Sequence, residues 1–109
     1  MPVIKPGRLS EHPELTQIST FGLFHGKRTD PLVELHFHDC DEWWIFTRGR
    51  GLIRTEGEVH EVGPGDMVYT PMGQEHEVIE VHEDLEGVWF EGERRGRKRR
   101  GHLHHPDDD

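Results

Sequence analysis

The sequence predicts an all-β fold, a small barrel of about eight strands preceded by an extended N-terminal arm. Short runs rich in Val, Ile, Thr, Phe and Trp alternate with turn-forming clusters every eight to twelve residues, the spacing of a sandwich or barrel. No apolar repeat of helical period is sustained over three turns. Glycines recur between the β-prone runs, where positive φ is needed.

Taken in order, residues 1–16 carry Pro2, Pro6 and Pro13 and read as the arm. The strands then follow as QISTFGLFH (17–25), PLVELHFH (31–38), EWWIFTR (42–48), GLIRT (51–55), EVHEV (58–62), DMVYT (66–70), HEVIEVH (76–82) and EGVWFEG (86–92). Turns are expected at RGRG (48–51), TEGE (55–58) and GPGD (63–66). Residues 17–93 thus form the barrel, and 94–109 a charged C-terminal tail. Closing a sheet this small also removes its exposed edges.

A chain of 109 residues makes about one domain. Only 31% of it is hydrophobic, enough for one modest core, so a homo-oligomer or a bound metal is an expected extra source of stability. The single Cys40 excludes an intramolecular disulfide and suits a reducing compartment. No apolar run approaches the roughly 18 residues of a membrane span, and MPVIKPGRLS lacks the apolar centre of a secretory signal. The expected location is the cytoplasm.

The net charge of −9 is unevenly spread. RRGRKRR at 94–100 holds six of the thirteen positive charges, leaving seven against twenty-two negative ones, a balance of −15. An acidic body of this kind repels a nucleic-acid backbone, so neither nucleic acid nor membrane is an expected partner. The basic run reads as a solvated segment that neutralises the body.

The chemistry concentrates in ELHFHDCDEWW at 34–44. Alternate residues of a strand share a face, so His36 and His38 project the same way, about 7 Å apart by strand rise. Two neutral imidazoles so placed can converge on one cation. Glu42 follows after a short turn, and the parity of EWWIF returns its carboxylate to the same interior. His76, at the start of a later strand, is the candidate fourth ligand. Three imidazoles and one carboxylate suit one divalent transition metal, Mn, Fe, Ni, Co, Cu or Zn, better than Ca or Mg. The competing reading is a surface histidine cluster amid abundant acids.

HFHDCDEWWIFTRG resembles the first motif of the cupin superfamily, H-x-H, three or four residues, Glu, six residues, Gly, matched by His36, His38, Glu42 and Gly49. GDMVYTPMGQEHEVIE resembles the second, G-x5-P-x-G-x2-H-x3-N, matched by Gly65, Pro71, Gly73 and His76. Asp30 replaces the first motif's leading glycine, and Glu80 the second motif's closing asparagine. Across roughly residues 30–92 the resemblance implies a small single-domain jelly-roll barrel with a metal near its mouth, held by His36, His38, Glu42 and His76.

Parity from His76 places Val78 and Glu80 on the inward face, which makes Glu80 a candidate general acid/base. Trp44, Tyr69, Trp89 and Glu91 are the candidate substrate contacts. Indoles beside carboxylates suit a polar ring such as a sugar, whose C–H face stacks on an aromatic plate. The leading functional reading is therefore a metal-dependent enzyme acting on a sugar or sugar acid, of isomerase, epimerase or ring-opening type. The alternatives are a mononuclear non-haem iron dioxygenase and a non-catalytic module that binds a small ligand. His25, His60 and His82 have no partner histidine in register and read as surface residues. Trp43, Ile45 and Phe37 take the parity opposite to the ligands, so a homodimer covering them, with exchange of the arm as a route, is expected.

Overall fold

The computed structural model describes residues 2–29, 35, 38–93 and 103. A single 3₁₀ turn, Leu9–Glu11, precedes five strands: β1 (Ile18–Gly26), β2 (Glu42–Thr55), β3 (Glu58–Val62), β4 (Met67–Thr70) and β5 (His76–Gly92). All pairings are antiparallel, in the order β1-β5-β2-β3, with β4 pairing the first part of β2. The expected strand at 31–38 and the tail at 94–100 lie outside the described residues. Among the described residues no helix is long and apolar enough to cross a membrane.

Two pairs of the expected strands are in fact single long ones. The RGRG stretch at 48–51 does not turn the chain; β2 runs through it for 14 residues. Likewise HEVIEVH and EGVWFEG are the two halves of the 17-residue β5. Bulges make this possible, because an extra residue bends and twists a strand without ending its ladder. The β2–β5 register shifts between Phe46 and Arg48, again up to Gly51, and once more between Leu52 and Ile53. Gly49 sits in the bend with φ +91°, and a Cβ there would collide with the Asp84 carbonyl oxygen.

Each bulge also reverses the alternation of side chains. In β2 the inward residues are Glu42, Trp44 and Phe46 before the bend, and Gly49, Gly51 and Ile53 after it. The core they enter is small: Phe46, Ile53, Val62, Val68, Val78 and Leu85, with Phe24, Trp44 and Val81 packed against it. Each such buried side chain stabilises the fold by about 1.5–3 kcal/mol. Phe24 meets Phe46 edge-on, with ring centroids 5.5 Å apart.

Two of the tight turns illustrate how residues with positive φ reverse the chain. Glu56 (φ 52°) and Gly57 (φ 80°) close the β2–β3 hairpin, the backbone signature of a type I′ turn. Between β4 and β5, Gln74 N–H donates to the Pro71 carbonyl at 3.1 Å, with Gly73 at φ +84° in the position a type II turn reserves for glycine.

Candidate metal centre

The bend in β2 creates the site. A straight strand of 14 residues would span about 43 Å, yet both ends of β2 meet Thr70. Glu42 is paired with Thr70 in the ladder, and Thr55 Oγ1 lies 3.4 Å from Thr70 Oγ1. Thr55 is in turn the ladder partner of His76. The strand therefore wraps round, bringing the first residue of β2 beside the first residue of β5.

His38 arrives on the loop before β2, and that loop is fastened on three sides. Gly73 N–H donates to the His38 carbonyl at 2.9 Å, Met72 N–H to Asp41 Oδ1 at 2.8 Å, and Gly92 N–H to the Asp41 carbonyl at 2.8 Å. Asp41 is thus the clamp that holds the ligand loop against the β4–β5 turn and the end of β5.

His38, Glu42 and His76 come together and are all buried, with one donor atom from each lying within 4.8 Å of the others. His38 Nε2 is 3.1 Å from Glu42 Oε2, and His76 Nε2 is 3.3 Å from Glu42 Oε1. The two imidazoles stack with centroids 5.3 Å apart. Two donors each about 2.1 Å from one ion lie about 3.0 Å apart at a right angle and about 3.4 Å apart at the tetrahedral angle. The observed separations fall in that range, and an imidazole–carboxylate set is the donor chemistry of a transition metal. The residues fit such an ion. His36 lies outside the described residues.

Burial alone would push the Glu42 carboxyl up. The hydrogen bond with His76, the positive charges of His38 and His76 when protonated, and the hydrogen bond from Trp44 outweigh it and hold Glu42 below its ordinary value. Trp44 Nε1–H donates to Glu42 Oε1 while its ring packs against His76 and Phe24. The indole therefore holds the carboxylate from behind, as outer hydrogen-bond partners of metal ligands do. That contact went unforeseen, although the shared parity of Glu42 and Trp44 was its visible signal.

The remaining candidates divide. Glu91 is 0% exposed and stands directly across from Glu42 in the ladder, with Cys40 Sγ–H donating to its Oε2 at 3.7 Å. Trp89 stands across from Trp44, its ring lying so close over Gly22 that a Cβ there would be 2.8 Å from Cζ2. Both lie on the inward face of β5, Glu91 fully buried and Trp89 partly so.

Glu80 is not interior. It is exposed and pairs with His82, Oε2 to Nε2 at 2.8 Å. Leu52 pairs with Glu80 but Ile53 with Val78, so Ile79 is the extra residue of a bulge that turns Glu80 outward. Tyr69 is also misplaced by the sequence reading: it is 47% exposed and stacks on Trp43 on the outer face, while its neighbours Val68 and Thr70 point inward. His25, His60 and His82 all lie on the surface beside carboxylates.

An antiparallel fold whose bent strands gather two imidazoles and a carboxylate in one buried cluster defines a class of small β-barrel. This chain matches the family described as "Cupin domain" over residues 26–91, and it belongs to that family. It is 44% identical over 68 residues to the uncharacterized protein y4oW of Sinorhizobium fredii, 62% of this chain and 32% of that one, so it spans about a third of that relative's length. Among solved structures it resembles a cupin 2 conserved barrel domain protein from Rhodopseudomonas palustris, with TM-score 0.67, 21% identity, and 88% of this chain and 63% of that one covered. It also resembles a predicted oxalate decarboxylase from Thermotoga maritima, with TM-score 0.66, 22% identity, and coverage of 78% and 75%. At these identities the structural likeness concerns the fold.

Proposed function

We propose that the chain is a metal-dependent enzyme that acts on a small polar molecule, with a sugar or sugar acid as the substrate class and isomerisation, epimerisation or ring opening as the reaction type. The observation that carries this reading is a pair of adjacent rungs on the β2–β5 ladder. Glu42 faces Glu91, and next to them Trp44 faces Trp89. Carboxylates accept hydrogen bonds from sugar hydroxyls, and an indole offers its face to a C–H surface.

One divalent transition metal would be held by His38, Glu42 and His76, with His36 as the fourth ligand of the sequence motif; bound there, it would supply Lewis-acid polarisation of a carbonyl or hydroxyl. Trp44 fixes Glu42 and Asp41 fixes the His38 loop, so both ligands are oriented before anything binds. With Glu80 outside, Glu91 is an interior carboxylate placed to hold or move a proton, across from Glu42 and separate from the described ligands. Trp89 is the remaining stacking surface, because the Trp44 ring is already packed among Phe24, Phe46 and His76.

A second reading has its own support. Two histidines and one carboxylate are the donor set of mononuclear non-haem iron oxygenases, and the described cluster is such a set. Elemental analysis of the purified protein, followed by thermal-shift screening of sugars and sugar acids and by oxygen-electrode assays, separates the readings. A non-iron divalent metal together with sugar-dependent stabilisation and turnover supports the first. Iron with substrate-dependent oxygen consumption supports the second and overturns the first. Saturable sugar binding without turnover would make the chain a binding module and overturn both.

A further inference from the structure

Gly22 stands in β1 at a point where the backbone does not call for glycine. It is not among the glycines with positive φ. Glycine inside a strand weakens it, and a common reason for one there is the close approach of another group. At Gly22 that group is Trp89, its partner across the β1–β5 ladder. A Cβ at Gly22 would lie 2.8 Å from Cζ2, 2.9 Å from Cε2 and 2.9 Å from Nε1 of the indole, distances at which something must move. The missing side chain therefore lets the indole lie against the β1 backbone.

The two tryptophans of the inner wall differ in what they touch. Trp44, across the β2–β5 ladder from Trp89, is packed among Phe24, Phe46 and His76 and against the core. Trp89 is only partly buried. Among the described residues it stacks on no other ring, and its N–H donates to no group. An indole backed by a strand and free of ring partners is a plate for a ligand. Glu91 stands on the same face two residues along β5, about 7 Å by strand rise, and is fully buried.

We infer that the substrate binds as a closed ring seated on Trp89, with Gly22 as the positioning residue that makes the seat, an inference that deepens the sugar or sugar-acid class proposed above and rests on it. A pyranose chair gathers axial C–H bonds on one face, which packs on an indole. Its hydroxyls spread round the rim, where a carboxylate such as Glu91 accepts their hydrogen bonds. An open chain presents no such face, and stacking it would cost the freedom of every bond that it fixes. Alanine at position 22 would drive the indole off β1 and spoil the seat. His38, Glu42 and His76 are held by other elements and would stay in place.

Calorimetric titration of the full chain loaded with Zn²⁺ tests this. The methyl pyranosides of glucose, galactose and galacturonic acid, whose rings are locked, are compared with sorbitol, galactitol and galactonate, which are open chains. Wild type should bind at least one pyranoside about tenfold or more tighter than its open-chain counterpart, with a change in tryptophan emission. Gly22→Ala and Trp89→Leu should each weaken that pyranoside about tenfold or more, while open-chain and Zn²⁺ affinities stay within about two-fold. The emission change should vanish in Trp89→Leu. Gly22→Ala/Trp89→Phe should bind the pyranoside as Trp89→Phe does, because phenylalanine lacks the Cζ2 and Nε1 atoms that the new methyl group strikes. Near-UV circular dichroism checks folding. If Gly22→Ala does not fold, its rescue by Trp89→Phe and the selective loss in Trp89→Leu carry the test. Equal weakening of both ligand classes, pyranoside affinity unchanged in Trp89→Leu, or a wild type that prefers the open chains overturns this inference alone. Binding of neither class by wild type overturns the sugar substrate along with it.

Discussion

Replacing Trp44 with Phe tests whether the site is held from behind. The substitution keeps an aromatic ring among Phe24, Phe46 and His76, whose centroids lie 6.1, 6.2 and 5.1 Å away, and removes the N–H that donates to Glu42 Oε1. A hydrogen bond to a buried charged group contributes about 1.5–3 kcal/mol. For a domain of this size each kcal/mol shifts Tm by roughly 4 °C, so the metal-free variant should melt about 6–12 °C lower at pH 7. Freed from the indole, Glu42 can rotate away from the position that suits both imidazoles, and metal affinity should fall about 10–100-fold. The assay is thermal denaturation of chelator-treated protein, followed by Zn²⁺ titration of wild type and variant. An affinity within about two-fold of wild type would show that the indole packs against the ligand without orienting it, and an unchanged apo Tm would show that the bond contributes nothing.

The other predictions are shorter. His76→Ala or His38→Ala should sharply lower metal content and remove the stabilisation that metal gives the folded state, whereas Glu80→Gln, at an exposed position, should leave metal content unchanged and alter stability by no more than about 0.5 kcal/mol; elemental analysis and melting curves check all three. Glu42 titrates below its ordinary value of 4.5 in the folded chain, so its contribution is fully present above that pH and is lost as pH falls through the lowered value; denaturant titrations of the apo protein between pH 6 and about 3 should show the decline. Metal affinity should fall on acidification, because protons compete with the metal for its ligands; metal titrations at stepped pH check it. Gly49→Ala should destabilise by more than about 3 kcal/mol, since the new methyl group strikes the Asp84 backbone, while Gly65→Ala, at similar φ in open space, should cost only about 1–2 kcal/mol. Equal losses at the two glycines in denaturant titrations would show that the close approach of β2 and β5 is not what Gly49 provides.

Legible in the amino-acid sequence alone were the all-β class, the cupin family, the turns after β2 and β3, and the residue types at the centre. They are legible because alternation has a period of two and turn chemistry is local, so both survive without knowledge of what packs where. Parity alone turned Glu42 inward and Trp43 and Ile45 to the opposite face. That RGRG continues a strand, that Glu80 faces solvent, and that Glu91 lies across from Glu42 rather than anywhere else along the wall became visible in the folded chain alone. Bulges are the physical reason. A single extra residue at Ile79, and others round Gly49, reverse every later side chain and bend the strand, and whether a glycine or an isoleucine makes a bulge depends on the partner strand it is matched against, which lies far away in the chain.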